Sequence, residues 1–296
     1  MEYITLSRSW LPQLHALIRQ TAYDRVLSVD ELAHGLYDDI SITPELLVGV
    51  VEGGVLAGFC LGCLREGRGV VILFGVHPEF RRRGIATALL DELEARFAER
   101  GINQILAEGV GPGYFWPGVE LTRGPAISFL IKKGYETDRV ARVDMSVDLG
   151  RVNLDTVAPI ARLAADGILI RRAAGDDIPA IAAFALQSFS RGWQLEVEEA
   201  ARFAELPLYI ALHGGQVISF AAYDVTGYGR FGPTGTRPDY RKRGIGGVLL
   251  KLCMAQMLER GDETAEIAWA GPVSFYMKEV KAQITRVYWG FRKTLR

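Results

Sequence analysis

Residues 76–90 read VHPEFRRRGIATALL, and residues 236–250 read TRPDYRKRGIGGVLL. Proline, an acid, an aromatic ring, three cations, Gly-Ile, a small residue and a Leu-Leu pair recur in the same order, 160 positions apart. A repeat with a period of about one domain makes the chain two copies of one plan. The flanks repeat too. Before each segment come two β-prone runs, Leu47–Val51 with Val55–Leu64 and Leu208–Leu212 with Val217–Tyr223. Gly53-Gly54 and Gly214-Gly215 separate them, as in hairpins. A third strand, Val70–Val76 or Arg230–Thr236, runs into the basic loop, and the apolar spacing of Ala86–Phe97 and Gly246–Leu258 fits a helix after it. Further strands are expected at Gln104–Glu108 and Ala265–Ala270, each followed by a short helix and a closing strand. Helical patterns also open each half, at Leu11–Ile18 and Ile178–Ala185. The order β-α-β-β-β-α-β-α-β is an α/β reading rich in strands. A joint at 149–166, with Gly150, Pro159 and a short helix at Ile160–Ala165, divides the chain into domains 1–150 and 165–296.

Composition excludes several classes. A net charge of −1 over 296 residues argues against a wide nucleic-acid footprint. No apolar run reaches the roughly 18 residues of a membrane span, and the start has no basic, then apolar, leader pattern. The expected location is the cytoplasm. Cys60 and Cys63 form a C-x-x-C inside an apolar run, where residues three apart on a strand point to opposite faces, so the thiols should diverge. Cys253 sits among helical core residues, and His15, His34, His77 and His213 have no metal-ligand spacing.

The basic loops carry the chemistry. Three cations at a helix N-terminus oppose the macrodipole, so a helix built for stability alone would place acids there. The conflict disappears if an anion sits on the junction, met by free N–H groups and by a backbone that glycine lets approach. A pyrophosphate is the natural candidate. No G-x-G-x-x-G opens a helix, and neither G-K-[ST] nor G-x-S-x-G occurs.

Arg81-Arg82-Arg83-Gly84-Ile85-Ala86 and Arg241-Lys242-Arg243-Gly244-Ile245-Gly246 match Arg/Gln-x-x-Gly-x-Gly/Ala, and on that motif the chain resembles the GCN5-related N-acetyltransferase (GNAT) superfamily, twice over nearly its whole length. The resemblance implies two tandem GNAT domains, each a mixed, mostly antiparallel twisted sheet flanked by helices. It also implies acetyl-CoA as co-substrate, its pyrophosphate on residues 82–87 (through Thr87) or 242–247 (through Gly247). The pantetheine arm would run beside Phe74–Val76 or Thr234–Thr236, as an added strand does on an open edge. The family's A-x-x-F-Y-x-K-x-G-F helix, whose tyrosine protonates the departing thiolate, is matched by Ala126-Ile-Ser-Phe129-Leu130 and by Val273-Ser-Phe275-Tyr276. Leu130 cannot donate a proton, so the resemblance puts the chemistry in the C-terminal half with Tyr276 as acid, and leaves the N-terminal half a CoA binder at most.

Glu266, on the strand leading to Tyr276, is the candidate base, with Glu263 and Asp224 as competitors. A backbone N–H of Thr234–Thr236 would hold the oxyanion. The N-terminal half carries about 14 extra residues near Gly111–Gly124, including Tyr114, Phe115 and Trp116. That loop would be either a wall for the acceptor or an aromatic packing element. It looks like a loop of bacterial glucosaminide N-acetyltransferases, which makes an amino sugar the leading guess among primary-amine acceptors. A non-catalytic acyl-CoA sensor is the alternative. The sequence is silent on oligomeric state.

Overall fold

The computed structural model describes residues 2–21, 27–38, 42–110 and 114–295. In chain order the elements are β1 (Glu2–Thr5), α1 (Leu11–Thr21), α2 (Val29–Ala33), β2 (Leu47–Glu52), β3 (Val55–Arg65), β4 (Arg68–Val76), α3 (Ile85–Glu99), β5 (Gln104–Ala107), β6 (Val119–Glu120), α4 (Gly124–Lys132), β7 (Glu136–Thr137) and β8 (Arg142–Asp148). There follow α5 (Val157–Ala165), β9 (Ile168–Arg172), α6 (Ile178–Ser188), α7 (Arg191–Glu199), β10 (Leu208–His213), β11 (Gln216–Tyr223), β12 (Arg230–Thr236), α8 (Ile245–Glu259), β13 (Thr264–Ile267), α9 (Val273–Val280), β14 (Gln283–Trp289) and β15 (Phe291–Thr294). Every repeated element expected from the sequence is present, within a few residues of its expected ends.

The chain forms two compact units. The first comprises Met1–Val110, Tyr114–Ala141 and Tyr288–Arg296; Arg142–Val287 belong to the second. This composition differs from a division at 149–166. β8, which reads as the closing strand of the first half, pairs with β13 in the second unit, Glu266 opposite Ser146 and Ile267 opposite Met145. β15, late in the chain, lies between β5 and β7 of the first unit. Repeat similarity reveals which strands close a sheet, not which sheet they close.

The first sheet runs in the order β1-β2-β3-β4-β5-β15-β7. The second runs β14-β8-β13-β12-β11-β10-β9. Each sheet holds a parallel pair, β4–β5 in the first and β12–β13 in the second, among mostly antiparallel neighbours. One sheet face of each unit takes the long helix that follows the basic loop. In the first, Ile85, Leu89, Leu90, Leu93 and Phe97 of α3 are buried. In the second, Ile245, Leu249, Leu250, Cys253 and Met257 of α8 are buried with Phe231 and Tyr276. Each such side chain contributes at most about 1.5–3 kcal/mol. The opposite face of the second sheet is covered by α6 and α7, which bury Ile181, Phe184 and Val197 against Phe220 and Ala222.

Cys60 and Cys63 are buried on β3 in different apolar clusters, so the pair diverges as the strand period requires. Burial pushes the Cys60 thiol up. Among the described residues no cluster could hold a metal ion, and no helix is long and apolar enough to cross a membrane.

Candidate active site

In both units the basic loop takes the same shape. Arg82 (φ 63°) and Gly84 (φ 80°) lie in the left-handed region, as do Lys242 (φ 64°) and Gly244 (φ 88°). Two left-handed residues flanking Arg83 or Arg243 turn successive N–H groups inward, which makes an anion nest. A left-handed arginine or lysine is strained, and such strain persists where the surroundings impose it. The nest is continuous with the helix: Gly84 and Gly244 are the N-cap residues of α3 and α8, and neither helix has a side chain capping its first turn. Two further bonds recur. Arg81 Nε donates to the Val76 carbonyl at 3.2 Å, and Arg241 Nε to the Thr236 carbonyl at 3.1 Å. Each pins the loop to the end of the preceding strand.

The cation surroundings differ. Arg83 is tied to Glu52 and to the Glu79 carbonyl. The ring contact itself is shared: Arg83 lies over Phe80 and Arg243 over Tyr240, each 5.1 Å from the ring centroid. In the second unit Arg162 of α5 adds a guanidinium, with Nη2 3.2 Å from where a Cβ on Gly244 would stand. Sequence reasoning missed Arg162, because the joining helix carries no motif.

Beside each nest the sheet opens. β4 and β5 pair only at Gly69–Ile105 and Val70–Leu106, and β12 and β13 only at Arg230–Glu266 and Phe231–Ile267. Beyond those points the parallel strands part. Residues 71–76 and 232–236 thus keep a strand partner on one side only, among the described residues. An extended arm can lie along such an edge. In the first unit the opening is a small cleft of about 80 Å³ lined by Val71, Phe74, Glu108, Trp116, Val119 and Arg123 among others. Leu130 is fully buried in the first unit's core, and Phe129 packs on Phe74, ring centroids 5.6 Å apart.

In the second unit Tyr276 packs edge-on against Phe231 (6.2 Å) and Phe275 (5.1 Å) at the base of the opening. It is 5% exposed, and burial raises its phenol well above the ordinary range, so it stays protonated at neutral pH. Thr236 hydrogen-bonds Ser219 at 2.7 Å, and Thr234 donates to the Phe220 carbonyl at 3.0 Å, which fixes the strand edge. Gly246 leaves room between α8, Thr236 and Phe275.

The acidic candidates are differently placed. Glu266 Oε1 accepts from Arg230 Nε at 2.7 Å, and Oε2 from Arg286 at 2.9 Å. Both of its carboxylate oxygens are thus held by guanidinium groups at the root of the opening. Asp224 is bound to Arg260 and to the Gly229 N–H, and Glu263 is exposed.

The aromatic loop enters the core of the first unit and also lines its cleft. Phe115 and Trp116 are buried in the first unit's core, and the Phe115 ring fills the space over Gly35. Trp116 reaches the cleft of that same unit, and Tyr114 is half-buried beside Gly109.

Comparisons with known proteins identify the family and the fold. The profile of the acetyltransferase (GNAT) family matches residues 11–112 and 178–274. Acetyltransferase plu1384 of Photorhabdus laumondii is 32% identical over 100 residues, which cover 30% of this chain and 70% of that protein. Three solved structures share the fold. One is a GCN5-related glucosamine N-acetyltransferase region of a fungal multi-domain GH3 beta-N-acetylglucosaminidase (TM-score 0.80, 20% identity, 98% of this chain). This chain spans only 38% of that fungal protein. A GCN5-related N-acetyltransferase from Sphaerobacter thermophilus matches with TM-score 0.74 and 18% identity, covering 100% of this chain and 96% of that one. A tandem GNAT protein from the clavulanic acid biosynthesis pathway matches with TM-score 0.73 and 17% identity, covering 99% and 98%.

Proposed function

The chain belongs to the GNAT acetyltransferase family, and from that premise we propose that its second unit moves an acetyl group from acetyl-CoA directly to a small-molecule primary amine. The observation that carries this reading is the conjunction, in one unit, of an anion nest, a split pair of parallel strands and a buried phenol at the root of the split.

The residues fit the co-substrate. The nest of Lys242, Arg243 and Gly244, continued by the N–H groups of Ile245, Gly246 and Gly247, would hold the pyrophosphate, with Arg162 and Arg241 adding charge. The edge of Thr234–Thr236 would carry the pantetheine arm and present an N–H to the oxyanion. Tyr276 would give its proton to the leaving sulfur. Glu266 would keep Arg230 and Arg286 in place beside the reacting carbonyl.

The first unit has the same nest at Arg82, Arg83 and Gly84, with Ile85, Ala86 and Thr87 following, and a cleft beside Phe74 and Val76. With Leu130 where the donor would stand, we read it as a unit that binds an acyl-CoA without turning it over. Glucosamine heads the acceptor panel, because a structural neighbour is named for it.

The test is purified protein with acetyl-CoA and a panel of amines, read as free thiol released, beside calorimetric titration of CoA. Amine-dependent release supports the enzyme. Binding without release supports the sensor, and absence of both removes the reading.

A further inference from the structure

One carboxyl group on the α6/α7 face of the second unit is engaged by no side-chain hydrogen bond or ion pair among the described residues. It belongs to Glu196, which is 4% exposed. Buried acids without partners are rare in proteins and are found where they have work to do.

Its position connects it to the opening. Phe231 faces the α8/α9 side, where it meets Tyr276. Strand alternation turns Arg230 to the other side, and the charge of Arg230 acts on Glu196. Trp193 stands one turn before Glu196 on the same face of α7. It packs on Phe189, ring centroids 4.6 Å apart. Phe189 in turn lies against Gly235, where an added Cβ would come within 2.2 Å of the ring. The inner face of α7 therefore runs along the strand edge that would hold the thioester. Tyr276 and Glu196 flank that edge from opposite faces of the sheet.

We infer that Glu196 is the general base that deprotonates the incoming ammonium group, an assignment that rests on the acetyltransferase reading above. Glu196 takes one proton from the ammonium. The nitrogen lone pair then attacks the thioester carbonyl carbon, a C–N bond forms, and the C–S bond breaks. The sulfur receives the Tyr276 proton, and the second nitrogen proton makes good that loss. One nitrogen proton stays in the amide, and one leaves through Glu196. Placing donor and acceptor on opposite faces prevents them from exchanging the proton directly.

Burial pushes the Glu196 carboxyl up to about 8, with Arg230 pulling the other way. That lies near the range in which amine deprotonation is most effective. From the neighbouring elements, α6 contributes no titratable group, and Arg202 is bound to Glu199. On the sheet, Arg230 is paired with Glu266, which also holds Arg286.

The test compares two acceptors at pH 7 in the full chain. One is an alkylamine or amino sugar present as ammonium. The other is hydroxylamine, already neutral and in no need of a base. E196Q should lose about a hundredfold in kcat/KM with the ammonium acceptor and change little with hydroxylamine, with CoA binding retained. Equal losses on both acceptors would mark Glu196 as merely structural, and no loss on either would remove it from the reaction. If the wild-type protein acetylates neither, the acetyltransferase reading falls and this assignment with it.

Discussion

The two units share a loop and differ one strand away from it. Both place an arginine or lysine and a glycine at positive φ before the long helix, and both pin the loop with an arginine on the strand-end carbonyl. At the root of the split, however, the first unit pairs Val70 with Leu106, buried in a small apolar cluster with Cys63. The second puts Arg230 opposite Glu266 at the same register. A buried ion pair is expensive where a well-packed apolar pair would serve, so its presence in one copy alone marks a place where polarity is used. Likewise Leu130 stands against Tyr276. Loop geometry is common to both units; the groups we propose to move protons belong to one.

Tyr276→Phe should break this comparison most. We expect turnover to fall by about two to three orders of magnitude, with CoA affinity unchanged by calorimetry. Wild-type turnover would mean that the two units do not differ in the way proposed. Next in size is the root of the split. Arg230→Val should cost about 3 kcal/mol in chemical denaturation, because it removes one partner of a buried pair. Adding Glu266→Leu, which makes the second unit like the first, should restore much of that loss. A double variant no more stable than the single would show that the two charges are not coupled.

Smaller still are the loops. Gly244→Ala forces a left-handed alanine, at roughly 1–2 kcal/mol, and crowds Arg162 as well. It should weaken CoA binding in the second unit about tenfold. Gly84→Ala meets only the backbone penalty, since nothing stands within 4 Å. A titration in which neither variant loses a site would break the anion assignment in both units.

The last expected effect is thermal. Glu196 has an ordinary carboxyl value of 4.5 when unfolded and about 8 when folded. Between those values the folded state holds a proton that the unfolded state has lost. Its contribution is therefore full below 4.5 and disappears as pH rises through about 8. Glu196→Gln should raise Tm by a few degrees at pH 8.5 relative to wild type, and by less at pH 5. A difference independent of pH would contradict a raised carboxyl.

The sequence made the loops legible because their cues are local: a glycine at the helix N-cap, and three cations where a helix start alone would favour acids. Tyr276 was legible because its helix keeps a recognisable frame. Glu196 was not, since a carboxyl on an amphipathic helix reads as surface until the partners of that face are known. Glu266 was legible as an unusual strand carboxylate, but the two arginines that hold it come from residues 230 and 286. The aromatic loop showed its length and rings, while the core those rings enter is assembled from distant segments.

The exchange of β8 and β15 also governs synthesis. The first sheet cannot be completed until residues 291–294 leave the ribosome, because their place between β5 and β7 waits for them. A fragment cut at the repeat boundary would carry a gap in one sheet and an orphan strand destined for the other. Neither half of the sequence, for all their likeness, holds every strand of its own sheet.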